Sequence, residues 1–105
     1  MKADALATQG MEQLKDENIA EARKLFYEAM YVSSDSKIAA NGIKEMEKTA
    51  GAMYDRAYSE IQAGNVSSAN KILRKLRKEL SPQSAYYLRV LALIEDAKDS
   101  GDSED

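Results

Sequence analysis

Five basic side chains are concentrated in one short stretch of this 105-residue chain. They are Lys71, Arg74, Lys75, Arg77 and Lys78. Ammonium and guanidinium groups at this density can hold an acidic peptide, a phosphorylated partner or nucleic acid. The stretch can equally be a solvated helix face, paired in part with Glu79 or with the acidic C-terminal residues. No aromatic residue is interleaved with it, which disfavours nucleic acid as the ligand.

Two tyrosines, Tyr54 and Tyr58, form a second candidate site. They lie four residues apart, so a helix would place them on one face, a turn apart. Tyrosine is enriched at protein interfaces because it combines an apolar ring with a polar tip. The alternative is that both rings pack against a neighbouring helix of the same chain.

Catalytic chemistry has little support in this sequence. Cysteine and histidine are both absent, which excludes disulfides, Cys- or His-ligated metal sites and histidine acid–base catalysis. The carboxylates fall on polar helical faces, and no pair is flanked by apolar residues that would raise a pKa. No glycine-rich phosphate loop or nucleophile elbow occurs. We therefore expect no enzymatic activity, no cofactor and no metal site.

Length and charge narrow the class of protein further. We expect a single domain over residues 1–98 and a disordered acidic tail over residues 99–105. The net charge of −3 and pI of about 5.0 argue against a dedicated nucleic-acid binder. No apolar run approaches the roughly 20 residues that span a membrane, and no signal-peptide core is present. We expect a soluble, cytoplasmic protein, either complete or excised from a longer one.

Helix formers fill the chain, strand patterns are missing, and the sequence predicts an all-α fold of four to five antiparallel helices. The first helix is expected over about residues 3–15. Asn18 should cap the second helix, with Glu21 as its capping-box partner. A cap at Ser36 should open a long third helix that continues to Ala63 in spite of two internal glycines.

The fourth and fifth helices follow from further punctuation signals. Gly64 should end the third helix in a left-handed conformation, and Asn65 should cap the fourth. Ser81 is expected to cap the fifth helix, with Pro82 as its first residue. That last helix is apolar over more than half its circumference. It either folds back and is buried or presents Tyr86, Val90 and Leu93 to a partner, a second copy or a missing next repeat.

One segment pattern occurs twice, with an asparagine, an aliphatic residue, an alanine and a later apolar residue. The first copy runs over residues 18–26 and the second over residues 65–73. Each copy follows one apolar helical stretch and opens another. A helix-turn-helix unit made twice indicates a helical repeat, in which each unit buries its apolar face on a neighbour.

The two units resemble tetratricopeptide repeats. The residues that carry this resemblance are Gly10, Asn18, Ile19, Ala22, Phe26 and Ala29 in the first unit, and Ala57, Gly64, Asn65, Val66, Ala69, Leu73 and Leu76 in the second. There are departures, since Glu17 replaces the turn glycine and Leu76 a small residue. The two asparagines are also 47 residues apart, against about 34 in that family.

The resemblance implies two helical hairpins joined by a long central helix, and a concave groove lined by the first helix of each unit. The groove residues implied by position are Ala7, Met11, Leu14, Tyr54, Tyr58 and Ile61. A clamp for a terminal carboxylate is not expected, because these positions lack its Lys and Asn.

The resulting hypothesis is a non-enzymatic scaffold or interaction module that binds a peptide or helix in an apolar groove. The alternative is a small export or assembly chaperone that shields a client helix. A phosphate- or nucleic-acid-binding domain is the third hypothesis and depends on the basic stretch alone.

Overall fold

In a computed structural model of the chain, residues 2–100 are described and form five α-helices connected by turns. The helices are α1 (Lys2–Lys15), α2 (Ile19–Val32), α3 (Lys37–Gln62), α4 (Val66–Glu79) and α5 (Tyr87–Ser100). No strand occurs within residues 2–100. The all-α prediction is confirmed, with five helices.

The long third helix is continuous, as predicted, and comprises 26 residues. The chain nevertheless divides into two compact units, one ending at Thr49 and the other beginning at Ala50. Helix α3 therefore contributes its first half to one unit and its second half to the other. Both glycines of α3 lie within this continuous helix, and each faces an aromatic side chain, Gly42 that of Phe26 and Gly51 that of Tyr86.

The core of the first unit is built around the ring of Phe26, which is completely buried. Helix α1 packs against α2, and a Cβ on Gly10 of α1 would lie only 2.5 Å from Cε1 of Phe26. A Cβ on Gly42 of α3 would overlap the same ring. The ring thus fits between two helices that can approach it only because both carry glycine there.

Ser36 begins α3 in the predicted way. Its hydroxyl oxygen accepts the amide N–H of Ala39 at 3.2 Å, and its carbonyl accepts the N–H of Ala40 at 3.2 Å. The same hydroxyl donates to Oδ1 of Asp4 at 3.1 Å. A single buried serine therefore caps one helix and ties it to the first turn of α1.

The second unit has an aliphatic core instead. Helix α4 packs against α5. The fully buried side chains of the unit include Ala57, Ala69, Leu73, Leu76 and Val90. Leu73 occupies the place in the repeated pattern that Phe26 holds in the first unit.

The turn between α1 and α2 and the turn between α3 and α4 have the same type of backbone geometry. Glu17 and Gly64 both adopt a left-handed conformation, with φ of 61° and 87°. Asn18 N–H donates to the carbonyl of Gln13 at 2.9 Å, and Asn65 N–H donates to that of Glu60 at 2.7 Å. This is the Schellman arrangement for ending a helix. The prediction for Gly64 is confirmed, and Glu17 adopts the same conformation without being glycine.

The predicted asparagine caps are wrong in their chemistry. Asn18 and Asn65 occupy the N-cap positions of α2 and α4, but neither side chain makes a capping hydrogen bond. The Nδ2 of Asn18 donates instead to Oε1 of Gln13 at 3.0 Å. The preceding Schellman turn orients the residue, so its amide reaches back to α1 rather than forward to α2.

The predicted start of the fifth helix is also wrong. Pro82 lies in a β-turn, in which the N–H of Ser84 donates to the carbonyl of Ser81 at 2.9 Å. Proline is favoured at the second position of such a turn as much as at the first turn of a helix. Helix α5 begins only at Tyr87 and includes Asp99 and Ser100. The rest of the predicted tail, residues 101–105, lies outside the described residues.

Candidate functional site

The second unit carries a group of tyrosines at its surface. The rings of Tyr54 on α3 and Tyr86, just before α5, have centroids 5.8 Å apart and are tilted by 45°. Tyr58 lies one turn further along α3 and is 48% exposed. We call Tyr54, Tyr58 and Tyr86 the tyrosine cluster. Its first and last members are about half-buried, so their rings are held while part of each faces solvent.

Gly51 makes room for this arrangement. A Cβ at Gly51 would lie 2.7 Å from the hydroxyl oxygen of Tyr86. Gly51, Tyr54 and Tyr58 are separated by three and four residues, and therefore form one stripe along α3. The glycine receives the Tyr86 hydroxyl at one end of the stripe, and the two tyrosines continue it. The spacing of the stripe could be read from the sequence, but the position of Tyr86 could not.

The backbone of Tyr86 is fixed on both sides. Its N–H donates to Oγ of Ser84 at 3.2 Å, and its carbonyl accepts the N–H of Val90 at 2.8 Å. The guanidinium carbon of Arg89 lies 5.3 Å from the centroid of the Tyr86 ring. This distance is within the range of a cation–π interaction. The cluster therefore includes an exposed cation next to its aromatic surface.

The other residues predicted to bind a partner, in the groove or on the last helix, differ in burial. Ala7 and Leu14 in the first unit and Val90 and Leu93 in the second are core residues, so a partner cannot contact them in this conformation. Met11 and Ile61 are about half-buried. The structure brings Tyr54 and Tyr86 together, and it leaves Tyr58 exposed beside them.

The last helix does not present its predicted stripe to a partner, because Val90 and Leu93 are buried. Val90, Leu93 and Ala97 are buried, which corresponds to a helix that packs on its own unit. Leu88, however, is 74% exposed. Most of the apolar excess of α5 is therefore used in packing, and one leucine of its first turn is not.

The first unit has exposed apolar residues that the sequence analysis did not select. They are Tyr27, Tyr31, Val32 and Ile38, of which Tyr31 is 92% exposed. Tyr27 and Tyr31 lie four residues apart and outside the buried stripe of Ala22, Phe26 and Ala29. That offset was the available signal. Among the described residues no ring contact is seen for Tyr27 or Tyr31, unlike Tyr54 and Tyr86 of the second unit.

The basic stretch lies on α4, and we call its five residues the basic cluster. Lys71, Arg74, Arg77 and Lys78 are exposed. Lys75 is half-buried, with its Nζ 3.8 Å from Oε2 of Glu79. The cluster is thus a solvated face, and Glu79 compensates part of its charge.

Three further features were sought among the described residues: metal-binding clusters, unpaired buried polar atoms and membrane-spanning helices. No group of three or more acidic residues there is placed to hold a metal ion. Each buried side-chain nitrogen or oxygen among those residues has a hydrogen-bond partner. None of the described helices is long and apolar enough to cross a membrane.

No protein-family model matches the chain, and no curated protein or solved structure matches it either. The likeness to tetratricopeptide repeats therefore stays a prediction drawn from the repeated residues.

Proposed function

We propose that this protein is a protein-interaction module that binds a segment of another protein through the tyrosine cluster of its second unit. The observation that carries the proposal is the contact between Tyr54 and Tyr86 beside Gly51, with Tyr58 and Arg89 exposed next to it. Tyrosine and arginine are the residue types most enriched among those that dominate binding energies at interfaces.

The arrangement favours binding because folding has already ordered part of the surface, which lowers the entropy cost of binding. Ordering a flexible side chain on binding costs about 0.5–1.5 kcal/mol. The ring of Tyr86 is held by Tyr54 and Arg89, and its backbone is held by Ser84 and Val90. A partner would therefore meet a largely preformed aromatic surface, on which only Tyr58 has to be immobilised.

The chemistry of the cluster indicates what the partner segment should carry. An apolar or aromatic side chain could pack against the exposed ring of Tyr58. An adjacent carboxylate could pair with the guanidinium of Arg89, which is exposed above Tyr86. A short peptide or helix that combines both groups is the ligand class that this surface suits best.

Selection of random peptides displayed on phage, with the full chain as bait, tests the proposal. We expect enriched peptides to share an apolar residue next to Asp or Glu. Their affinity should fall about thirtyfold or more in Tyr58→Ala, the size of effect that defines a dominant interface residue.

Tyr31→Ala is the matched control, because it removes an even more exposed tyrosine from the first unit. We expect it to leave peptide affinity within about twofold of the unchanged chain, and circular dichroism should show that both variants are folded. Equal binding by the unchanged chain and Tyr58→Ala, or a larger loss in Tyr31→Ala, would contradict the proposal.

A further inference from the structure

Helix α4 has a buried apolar face and an exposed basic face, and packing of the core does not require the charges of the exposed face. Ala69, Leu73 and Leu76 are fully buried and form its inner face. Lys71, Arg74 and Lys78 are exposed and lie three and four residues apart. At 100° per residue they form one stripe opposite the buried face, with Lys75 beside it. Glu79 is the only carboxylate on the helix.

Neighbouring charges of this stripe repel one another, and only Lys78 lies in the last turn, where a cation is favourable. Like charges three or four residues apart destabilise a helix, and Lys71, Arg74, Lys75 and Lys78 make several such pairs. Packing does not require the charges, since the apolar side chains that hold α4 in the unit lie on the opposite face. A ligand of opposite charge would relieve the repulsion.

The stripe could bind one of three anionic partners, namely a membrane surface, nucleic acid or an acidic segment of a protein, and each partner has different requirements. A membrane-surface helix normally pairs its charges with apolar residues that insert into the bilayer, but Ala69, Leu73 and Leu76 of α4 are fully buried in the unit. Nucleic acid is favoured by a basic protein with interleaved aromatic residues, whereas this chain has a net charge of −3. Lys71 and Lys78 are separated by about 10 Å along the helix axis, the length of about three residues of extended peptide.

We infer that the basic cluster of α4 is a second binding surface, which takes a short segment of a protein partner rich in Asp and Glu. Charge complementarity fixes the chemistry of this segment, and the short stripe fixes its length at a few carboxylates. The inference does not depend on the tyrosine cluster, because no residue of that cluster is needed for it.

Binding of a short fluorescent oligoglutamate peptide, measured by anisotropy, tests the inference. We expect the unchanged chain to bind it with an affinity that falls as salt is raised. Lys71→Gln/Lys78→Gln should weaken binding about tenfold, since two charge-assisted contacts are lost. Lys71→Arg/Lys78→Arg keeps both charges and should retain the affinity.

The matched control is Lys37→Gln/Lys44→Gln. It removes two exposed lysines with the same seven-residue separation from α3, and should change the affinity less than about twofold. Failure of the unchanged chain to bind oligoglutamate, or an equal loss in this control, would overturn the inference. Tighter binding at the same salt to single-stranded DNA of equal charge, or to phosphatidylserine vesicles, would overturn it as well.

Tyr58→Ala separates the two proposals. We expect this variant to keep oligoglutamate binding while it loses the peptides selected on the tyrosine cluster. The glutamine variant of α4 should show the opposite pattern. Each proposal can therefore fail while the other stands.

Discussion

Each unit contains the same type of turn, but the two units differ in where an aromatic ring lies. Both end their first hairpin helix with a left-handed residue, Glu17 or Gly64, followed by an asparagine with the same hydrogen bond. In the first unit the ring of Phe26 is buried between two glycines. In the second unit Leu73 fills the corresponding position, and the ring next to a glycine is Tyr86, which is half-exposed.

On our proposal, this difference divides structural and binding roles between the two units. A buried phenylalanine between glycines contributes packing and leaves nothing for a partner to contact. A tyrosine placed over a glycine at the surface keeps its ring ordered and available. The same device, a glycine that receives an aromatic side chain, is used for stability in one unit and, on our proposal, for recognition in the other.

The comparison is tested most strongly by replacing the glycines of α3 with alanine. Gly→Ala inside a helix ordinarily stabilises it by up to about 1 kcal/mol. At Gly42 the new methyl group would overlap the Phe26 ring, which Gly10 confines on its other side. We expect Gly42→Ala to lower the free energy of unfolding by about 1–3 kcal/mol, measured by urea denaturation.

Gly51→Ala is the matched change in the second unit. Its methyl group would meet the hydroxyl end of a half-exposed tyrosine, which can move aside. We expect stability to change by less than about 1 kcal/mol and peptide binding to weaken.

Phe26→Leu should partly rescue Gly42→Ala, because the smaller side chain removes the overlap. A Gly42→Ala variant more stable than the unchanged chain would contradict this account of the core.

Substitutions in the type of turn that both units contain should affect stability less than Gly42→Ala does. Gly64→Ala should lower the free energy of unfolding by about 1–2 kcal/mol, the cost of a left-handed conformation for a residue with a Cβ. No atom lies within 4 Å of the position of that Cβ, so the backbone conformation alone is responsible. Glu17→Gly should change stability in the opposite direction, by up to about 1 kcal/mol. Destabilisation by both substitutions would show that the turns are not equivalent.

The smallest effect is expected at Arg89. Arg89→Gln removes the cation over the Tyr86 ring and should cost about 0.5–1 kcal/mol, as is usual for an exposed cation–π pair. Hydrogen exchange followed by mass spectrometry should place the faster exchange in the second unit. Arg77→Gln, which removes an exposed arginine from α4, serves as the control. The same exchange profile in both variants would argue against the cation–π contact.

Sequence patterns predicted local features of the fold well. The helical class, the continuity of α3, the cap at Ser36 and the left-handed Gly64 all follow from residues close to one another in the chain. Local signals were ambiguous where one residue type serves two purposes. Pro82 suits the first turn of a helix and the second position of a β-turn, and the chain uses the latter.

Contacts between distant residues could not be predicted in this way. The overlap of Gly42 with Phe26 and the contact of Tyr54 with Tyr86 join positions 16 and 32 residues apart. No local pattern specifies such a pairing, because it depends on how the helices pack. Tyr54 and Tyr58 lie on one face of α3, and their role in binding stays a prediction. Four of the other selected residues, Ala7, Leu14, Val90 and Leu93, are buried.

The close approach of Phe26 to Gly42 also has a consequence for the chemical ageing of the chain. Gly42 follows Asn41, and asparagine before glycine is the dipeptide most prone to deamidation. The unhindered glycine nitrogen attacks the side-chain amide carbon and expels ammonia to form a succinimide, which water then opens to aspartate or isoaspartate. Packing against Phe26 nevertheless requires glycine at this position. Cyclisation needs a backbone conformation that α3 does not allow, so an intact helix should keep Asn41 unmodified. Isoaspartate at Asn41 would then accumulate in proportion to the time that this part of α3 spends unfolded. The amount of isoaspartate would therefore report how much of the time the first unit is open.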